Sequence, residues 1–408
     1  MRQILIIMLK FLRQLVFISF LIPFAFPESI HAQITPFVSN GEFYVSDSIS
    51  HQGELSLAIN SQSFFRDNEY STDFLEGYTL PGFRLIPKAV YYPTPKIKLE
   101  GGIYMLRYWG ANKYPNFAYR DITKWKGSQH QNGVHFLPYL RAQANITDNF
   151  SIVLGDLYGG TNHHLIEPLY DPELNLTADP EAGLQFLFYS KYLDFDTWIN
   201  WESFIFNEDN HQEEFVAGLS TRLKFTPQTS PLHIYMPMQI VFQHRGGEID
   251  TIRNNSINTL MNCATGLGLL WKTGNPLFKS INVECDYSLY KQMAGELWPL
   301  EKGHGFYTCA SANIGNVIIN TSYWKCHDFI SILGSPFFGA ASIGTEIVTF
   351  KNPSLTSLEA IYSLDFGKGI SLSFDGELRY QSYNDEHHTS LSAGVCLIIN
   401  PSFLLKKF

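Results

Sequence analysis

Apolar and polar residues alternate one by one over most of the chain. From Val134, the residues Val134, Phe136, Leu140, Ala142, Ala144 and Ile146 share one parity, while His135, Tyr139, Arg141, Gln143 and Asn145 share the other. Ile281, Val283, Cys285, Tyr287 and Leu289 alternate with Asn282, Glu284, Asp286 and Ser288. Near the end, Ile370, Leu372, Phe374, Leu378 and Tyr380 alternate with Ser371, Ser373, Asp375, Glu377, Arg379 and Gln381. A period of two over such lengths predicts strands with one apolar and one polar face.

Seventeen such runs are found, near 52–65, 79–91, 96–109, 132–146, 149–158, 182–192, 195–206, 214–225, 233–245, 257–271, 278–290, 305–313, 316–325, 338–350, 356–366, 369–381 and 389–399. Tight turns are expected at 92–95, 147–149, 193–194, 313–316 and 366–369, and longer polar stretches at 66–78, 110–131, 159–181, 246–256 and 291–304. Short turns at one end and long loops at the other predict an all-β, single transmembrane, antiparallel up-and-down β-barrel. A single-chain barrel needs an even number of strands. The expectation is therefore sixteen, with fourteen or eighteen as alternatives, and with the miscounted run between 305 and 350.

The first residues read differently. Arg2, Lys10 and Arg13 precede an apolar run at 15–26 and a polar stretch ending at Ala32, the pattern of a secretory signal peptide. Residues 1–33 are expected to be removed and 34–408 to form one barrel domain. The chain carries 29 basic and 38 acidic residues, and without its leader 26 and 37, a net charge of −11. Such a balance argues against a nucleic-acid partner. Charged residues are only 16% of the chain and aromatics 15%, a composition rich in strand formers. Cysteines 263, 285, 309, 326 and 396 form no CxxC pair and are odd in number. They read as small apolar residues, with Cys263 and Cys285 the one pair worth checking for a disulfide.

A soluble β-sandwich would also alternate. These runs, however, reach the lengths that tilted membrane strands need, and aromatics recur near strand ends: Tyr91 and Tyr92, Tyr108 and Trp109, Trp198 and Trp201, Tyr323 and Trp324. Paired aromatic belts are expected at membrane interfaces. At the C-terminus, Ser392, Gly394, Leu397 and Ile399 follow a polar, glycine, hydrophobic, hydrophobic order, and Phe408 ends the chain. In this the chain resembles the Gram-negative outer-membrane β-barrel proteins, porin-like in kind, with the departure that the tail 400–407 separates Phe408 from the motif. The resemblance implies export, assembly by the outer-membrane barrel assembly machinery, these five residues as the assembly signal, and contact with outer-membrane lipid and lipopolysaccharide.

The polar faces should line the lumen, bringing Glu100, Arg141, Arg222, Lys224, Glu284, Asp286, Asp375, Glu377 and Arg379 inward. The stretch 155–181 is long for a connection, and Leu165, Ile166, Leu169 and Tyr170 in it need something to pack on. It is expected to fold into the barrel mouth as a constriction or cap carrying His163, His164, Glu167 and Asp171. Adjacent histidines in extended chain point apart, so a metal on His163, His164 and Glu167 is not expected. The acidic stretch with Glu208, Asp209, His211, Glu213 and Glu214 reads as a solvated loop rather than a cation site.

Asp194 and Asp196, with Asp209 and His211, have the residue types of a barrel protease, but they flank one strand about 40 Å long at 3.3 Å per residue. His388 and Ser390 have the His-x-Ser spacing of barrel phospholipases, yet no third partner is evident. There is no GxSxG, phosphate-binding glycine loop or zinc-protease helix motif. The sequence therefore reads as a non-enzymatic barrel without a cofactor: first a porin-like channel for small polar solutes, and second a surface-assembly or export barrel for polysaccharide, with Tyr114, Phe117, Tyr119 and Trp125 stacking on sugars. An outer-membrane enzyme is the remote alternative.

Overall fold

The computed structural model describes residues 51–72, 74–75, 77–109, 134–204, 212–227, 229–247, 257–343 and 347–408. The signal-peptide stretch, Tyr114, Phe117, Tyr119, Trp125, Glu208, Asp209 and His211 lie outside the described residues.

Thirteen strands run in order: β1 (Glu54–Glu69), β2 (Tyr78–Thr94), β3 (Ile97–Tyr108), β4 (His135–Asn145), β5 (Phe150–Asp156), β6 (Ala182–Tyr189), β7 (Leu193–Ser203), β8 (Glu214–Lys224), β9 (Leu232–Arg245), β10 (Asn258–Lys272), β11 (Phe278–Ala294), β12 (Lys302–Ile314) and β13 (Val317–His327). A small hairpin, β14 (Ala341–Ile343) and β15 (Ile347–Thr349), follows. Then come β16 (Ser354–Gly367), β17 (Ile370–Tyr383), β18 (Glu386–Ile399) and β19 (Ser402–Lys407). Each wall strand pairs antiparallel with its sequence neighbour, β13 pairs with β16, and β18 closes on β1 from Ser61↔Ile399 to Glu69↔Leu391. The result is the closed sixteen-strand up-and-down barrel that the alternation predicts.

The alternation is inside-out relative to a soluble protein. Along β11, Glu284, Asp286 and Ser288 are buried in the lumen, while Val283, Tyr287 and Leu289 are exposed. Outward-facing Leu, Phe and Val without a covering layer are the surface a bilayer solvates, and closure leaves no unpaired edge to the lipid in a regular barrel. Among the described residues no helix is long and apolar enough to cross a membrane. Both Gly53 and Phe408 lie at the end of the short turns, where the Phe408 N–H donates to the Gly53 carbonyl at 2.9 Å. Short turns mark the periplasmic end and long connections the outer end.

Three sequence readings are corrected. The run near 338–350 is not a wall strand. It holds a single 3-10 turn, Pro336–Phe338, and the β14–β15 hairpin, whose side chains Phe337, Phe338, Ala340 and Ala341 pack inside the barrel. Their apolar character serves the lumen core rather than lipid. The turn expected at 193–194 lies at 190–192 instead, and Asp194 belongs to β7. The tail after Ile399 bends at Asn400 and Pro401 and resumes as β19 on β1. All five cysteines are free; Cys263 sits opposite Leu289 and Cys285 opposite Leu267, so the two are in different rungs.

Candidate functional site

A segment from 157 to 181 leaves the top of β5 and returns to the top of β6 by way of the lumen. Gly155, at φ 86°, turns the chain there, where a Cβ would meet the Leu140 carbonyl at 2.1 Å. Leu165, Ile166, Leu169 and Leu174 pack against Val216, Val241, Tyr290, Tyr307 and Trp324 of the wall and against Phe329, Ile330 and Leu333 of the β13–β14 connection.

A backbone with little regular structure must find partners for its polar groups when buried. Wall side chains supply them. Gln239 accepts the Ile166 N–H at 2.9 Å and donates to the His164 carbonyl at 3.0 Å. Asn262 donates to the Ile330 carbonyl and accepts the Ile332 N–H, both at 2.8 Å. Arg84 donates to the Asn175 carbonyl at 2.7 Å, and the hydroxyls of Tyr104 and Tyr108 donate to the Ala178 and Leu176 carbonyls. The two inserted segments join through Asp171 N–H to Leu333 carbonyl at 2.9 Å.

His163 holds the segment to β7. Its Nδ1 lies 2.7 Å from Asp196 Oδ2 and its Nε2 2.9 Å from Glu181 Oε2, and it is 1% exposed. Burial opposes the charged imidazole, but Glu181 and Asp196 outweigh it and raise its pKa to about 9. Burial likewise raises the Glu181 carboxyl, and His163 overcomes this to hold it below the ordinary carboxylate range. Glu181 also accepts the Gly160 N–H at 2.7 Å, and Asp196 accepts from Gln185 at 2.9 Å. The other residues expected in the constriction do not join His163. His164 adopts a left-handed conformation (φ 54°), and burial together with Arg222 lowers its pKa to about 3. Glu167 and Asp171 line a second, smaller cavity with Arg66 and Arg379. Burial and then the Glu377 charge raise Glu167 to about 7. Among the described residues no group of three or more His, Cys, Asp or Glu is arranged to hold a metal.

The lumen charges expected from the sequence are inward and mostly paired. Lys88, Lys98 and Arg141 converge on Glu100 at 2.8, 3.2 and 3.4 Å. Lys224 and Arg222 face Asp194 at 2.5 and 3.6 Å. Arg66 reaches Asp375 at 3.0 Å, Glu173 at 3.3 Å and Glu377 at 3.5 Å, and Arg379 reaches Glu377 at 2.7 Å. Glu284 accepts from Tyr235 at 2.6 Å, and Asp286 is buried beside it. At the outer end of β18, His388 donates from Nδ1 to the Ser71 carbonyl at 3.0 Å, and Ser390 accepts the Ser71 N–H at 3.3 Å. Of the C-terminal motif, Ser392 and Gly394 face the lumen, Leu397 and Ile399 the outside, and Phe408 packs edge-on to Tyr91.

Beside the inserted segment lies a cavity of about 600 Å³. Arg84, Lys88, Lys98, Glu100 and Arg141 give it a charged lining, and Leu157, Leu165, Leu174, Trp198 and Val216 an apolar one; His163 and Glu181 line it too. His163 and Asp196 were not paired by the sequence reading, because they lie 33 residues apart on a segment and a strand whose meeting no spacing encodes.

The fold is similar to that of solved outer-membrane proteins. OccAB3 of Acinetobacter baumannii matches at a TM-score of 0.49 and 10% identity, over 86% of this chain and 99% of that one. The loop L8 deletion mutant of OmpT, an outer membrane protein of Vibrio cholerae, matches at 0.48 and 10%, over 84% and 98%. OccK5 (OpdH) of Pseudomonas aeruginosa matches at 0.46 and 8%, over 86% and 99%. No curated protein matches the chain. The family model described as lipid A 3'-O-deacylase-type matches residues 46–408. That match corrects the expectation of a barrel without enzymatic activity, since the family is one of enzymes. Spanning every strand of the wall, it establishes that this outer-membrane barrel belongs to the lipid A 3'-O-deacylase-type family.

Proposed function

We propose that the barrel hydrolyses an ester-linked acyl chain of lipid A in the cavity beside His163. The family match over residues 46–408 carries this reading, and the chemistry of the cavity supports it. Arg84, Lys88 and Arg141 offer charge-assisted donors for an anionic sugar headgroup, and Leu165, Trp198 and Val216 offer an apolar wall for a chain. Glu181, held in place by His163, would take the proton of the attacking water and return it to the lipid A oxygen as the acyl carbon–oxygen bond breaks, and the cavity cations Arg84 and Lys88 would face the oxyanion that forms on the acyl carbonyl. The products are a free fatty acid and a lipid A hydroxyl.

The test is mass spectrometry of lipid A incubated with the purified, detergent-folded barrel. The expected result is loss of one acyl chain, abolished by Glu181→Gln in protein that keeps the heat-sensitive gel mobility of a folded barrel. Lipid A of unchanged mass after incubation with folded wild-type protein would sink the proposal.

A second reading, a porin-like channel for small polar solutes, is favoured by one observation: the same cavity is lined from Lys98, near the short-turn end, to Glu202, near the long-loop end. Discrete conductance steps from the intact protein in a planar bilayer would support it.

A further inference from the structure

We propose that the barrel wall has a lateral portal above β5 and β6, through which an acyl chain of an outer-leaflet lipid passes from the membrane into the cavity. The identity of that lipid as lipid A rests on the deacylase reading; the portal itself rests on the wall.

The wall is low at this place. β5 has seven residues and β6 eight, short of the roughly 9–11 that a tilted strand needs to cross. Their neighbours β4 and β7 have eleven each. The β4–β5 ladder ends at Arg141↔Gly155, although β4 continues outward to His135 against β3. The β6–β7 ladder ends at Gly183↔Asn200, although β7 continues to Ser203 against β8. Among the described residues, then, two strands present edges to a gap above β5 and β6 within a closed barrel.

The residues at this gap are those of a protected edge. The Leu140 N–H points toward β5 and is taken by Asp156 Oδ2 at 2.5 Å. Two residues outward, a backbone N–H would point the same way with no strand to receive it, and the residue there is Pro138, which has none. Across the gap, Asn200 Oδ1 accepts the Ala182 N–H at 2.9 Å. An unpaired backbone group facing hydrocarbon costs several kcal/mol, so Asp156 on the Leu140 N–H and a proline at 138 remove the two donors of the edge nearest β5, where lipid would come close.

The cavity reaches up to the gap. Tyr139 and Arg141, which point inward, line it, and so does Pro138 between the outward-facing Phe136 and Leu140. On the other side both the inward Trp198 and the outward, exposed Trp201 line it. The lumen cavity thus borders the gap, with Ala182 at its lip. Outside, the rim is apolar, with Phe136, Leu140 and Trp201 all exposed. A hydrocarbon chain fits such a rim, whereas a hydrated solute would have to cross lipid to reach it.

The test uses a photoreactive p-benzoylphenylalanine at Ile86 or Leu165, both lining the cavity, and at Phe65 on the outer surface of β1 as a lipid-contact control. The full-length barrel is reconstituted with lipid A labelled on an acyl chain and irradiated. Expected is capture at all three positions, with Ala182→Trp losing capture at Ile86 and Leu165 and keeping it at Phe65. Capture at Phe65 alone, in protein with folded-barrel gel mobility at both cavity positions, overturns the portal. Capture of labelled phosphatidylethanolamine in place of lipid A overturns the assigned occupant. Since the readout is binding, capture without deacylation would leave the portal standing and remove the deacylase reading. Deacylation without capture would do the reverse.

Discussion

The imidazole of His163 lies flat against the indole of Trp198, with ring centroids 3.4 Å apart and planes 9° from parallel. Trp198 and Asp196 are successive lumen-facing residues of β7, so one strand supplies both the π face beneath the imidazole and a carboxylate at its edge. A cation over an indole face gains further from its quadrupole. This contact fixes the inserted segment to the wall.

The pairing makes that attachment pH-dependent. The folded His163 pKa of about 9 exceeds the unfolded value of about 6.5. The native state therefore holds its proton more tightly, and the stabilisation is full below the unfolded value and lost as pH rises through about 9. Glu181 works in the opposite sense: its lowered pKa contributes stability above the ordinary carboxylate range that is lost as pH falls through the folded value. Protease cleavage within 157–181, followed in intact barrels from pH 6 to 10, should accelerate on the alkaline side. His163→Gln should flatten that rise. An equally steep rise in His163→Gln would show that another group controls the segment.

Gly218, on β8 beside Trp198, has no room for a methyl group. A Cβ there would stand 2.2 Å from Trp198 Cζ2. Gly218→Ala must displace the indole and with it the face on which His163 rests. The expected cost is about 1–3 kcal/mol, the usual range for overpacking a filled core. It would be read as a lower urea midpoint for unfolding in lipid vesicles, together with faster cleavage of 157–181. Gly376→Ala is the control, because nothing lies within 4 Å of its added Cβ. Equal midpoints for the two variants would remove the argument.

Much of the barrel was legible because lipid and lumen impose opposite demands on alternate residues. β11 shows it: Glu284, Asp286 and Ser288 inward, Val283, Tyr287 and Leu289 outward. The same code fails where apolar residues serve the lumen. Phe338 opens a run that looks like a strand in sequence, but it packs on Trp324, whose Nε1 donates to its carbonyl at 3.0 Å. Hydrophobicity does not say which apolar phase a residue faces. Inward Gln239 and Asn262 carried a signal in retrospect, since an amide on a lumen face can serve an inserted backbone. Nothing comparable announced His163 with Asp196, or the trimmed edge at Pro138, for both depend on where strands end. The enzyme reading was set aside for a related reason: His388 and Ser390 offered no third partner in sequence, and His163, Glu181 and Asp196 meet only through the inserted segment.

Arg66 is the counter-ion of the second cavity. It faces Glu173, Asp375 and Glu377 within 3.5 Å, and all three carboxylates are buried. Removing one partner of a buried ion pair leaves uncompensated charge and typically costs about 3–5 kcal/mol. Arg66→Ala should therefore lower the unfolding midpoint sharply at neutral pH. Arg66→Ala with Glu173→Gln and Asp375→Asn should recover much of the loss, because two of the three charges it strands are then gone and Glu377 keeps its second partner, Arg379. If the triple variant were no more stable than Arg66→Ala, the network would be acting through packing of the guanidinium rather than through charge.

The inserted segment also decides whether the lumen conducts. Leu165, Ile166 and Leu169 fill it from one side and Phe329, Ile330 and Leu333 from another, and the two segments are bonded to each other and to the wall. A sixteen-strand barrel without such filling encloses an aqueous channel. The intact protein should therefore give no discrete conductance steps in a planar bilayer, while deletion of 159–180 should produce them. The deletion also removes His163, the partner of Glu181, so the same protein should fail to deacylate lipid A. Steps from the intact barrel would mean that the about 600 Å³ cavity is part of an open path, and the weight would shift from hydrolysis to solute passage. Silence from a folded deletion variant would mean that the β13–β16 connection, through Phe329, Phe337 and Phe338, seals the lumen by itself.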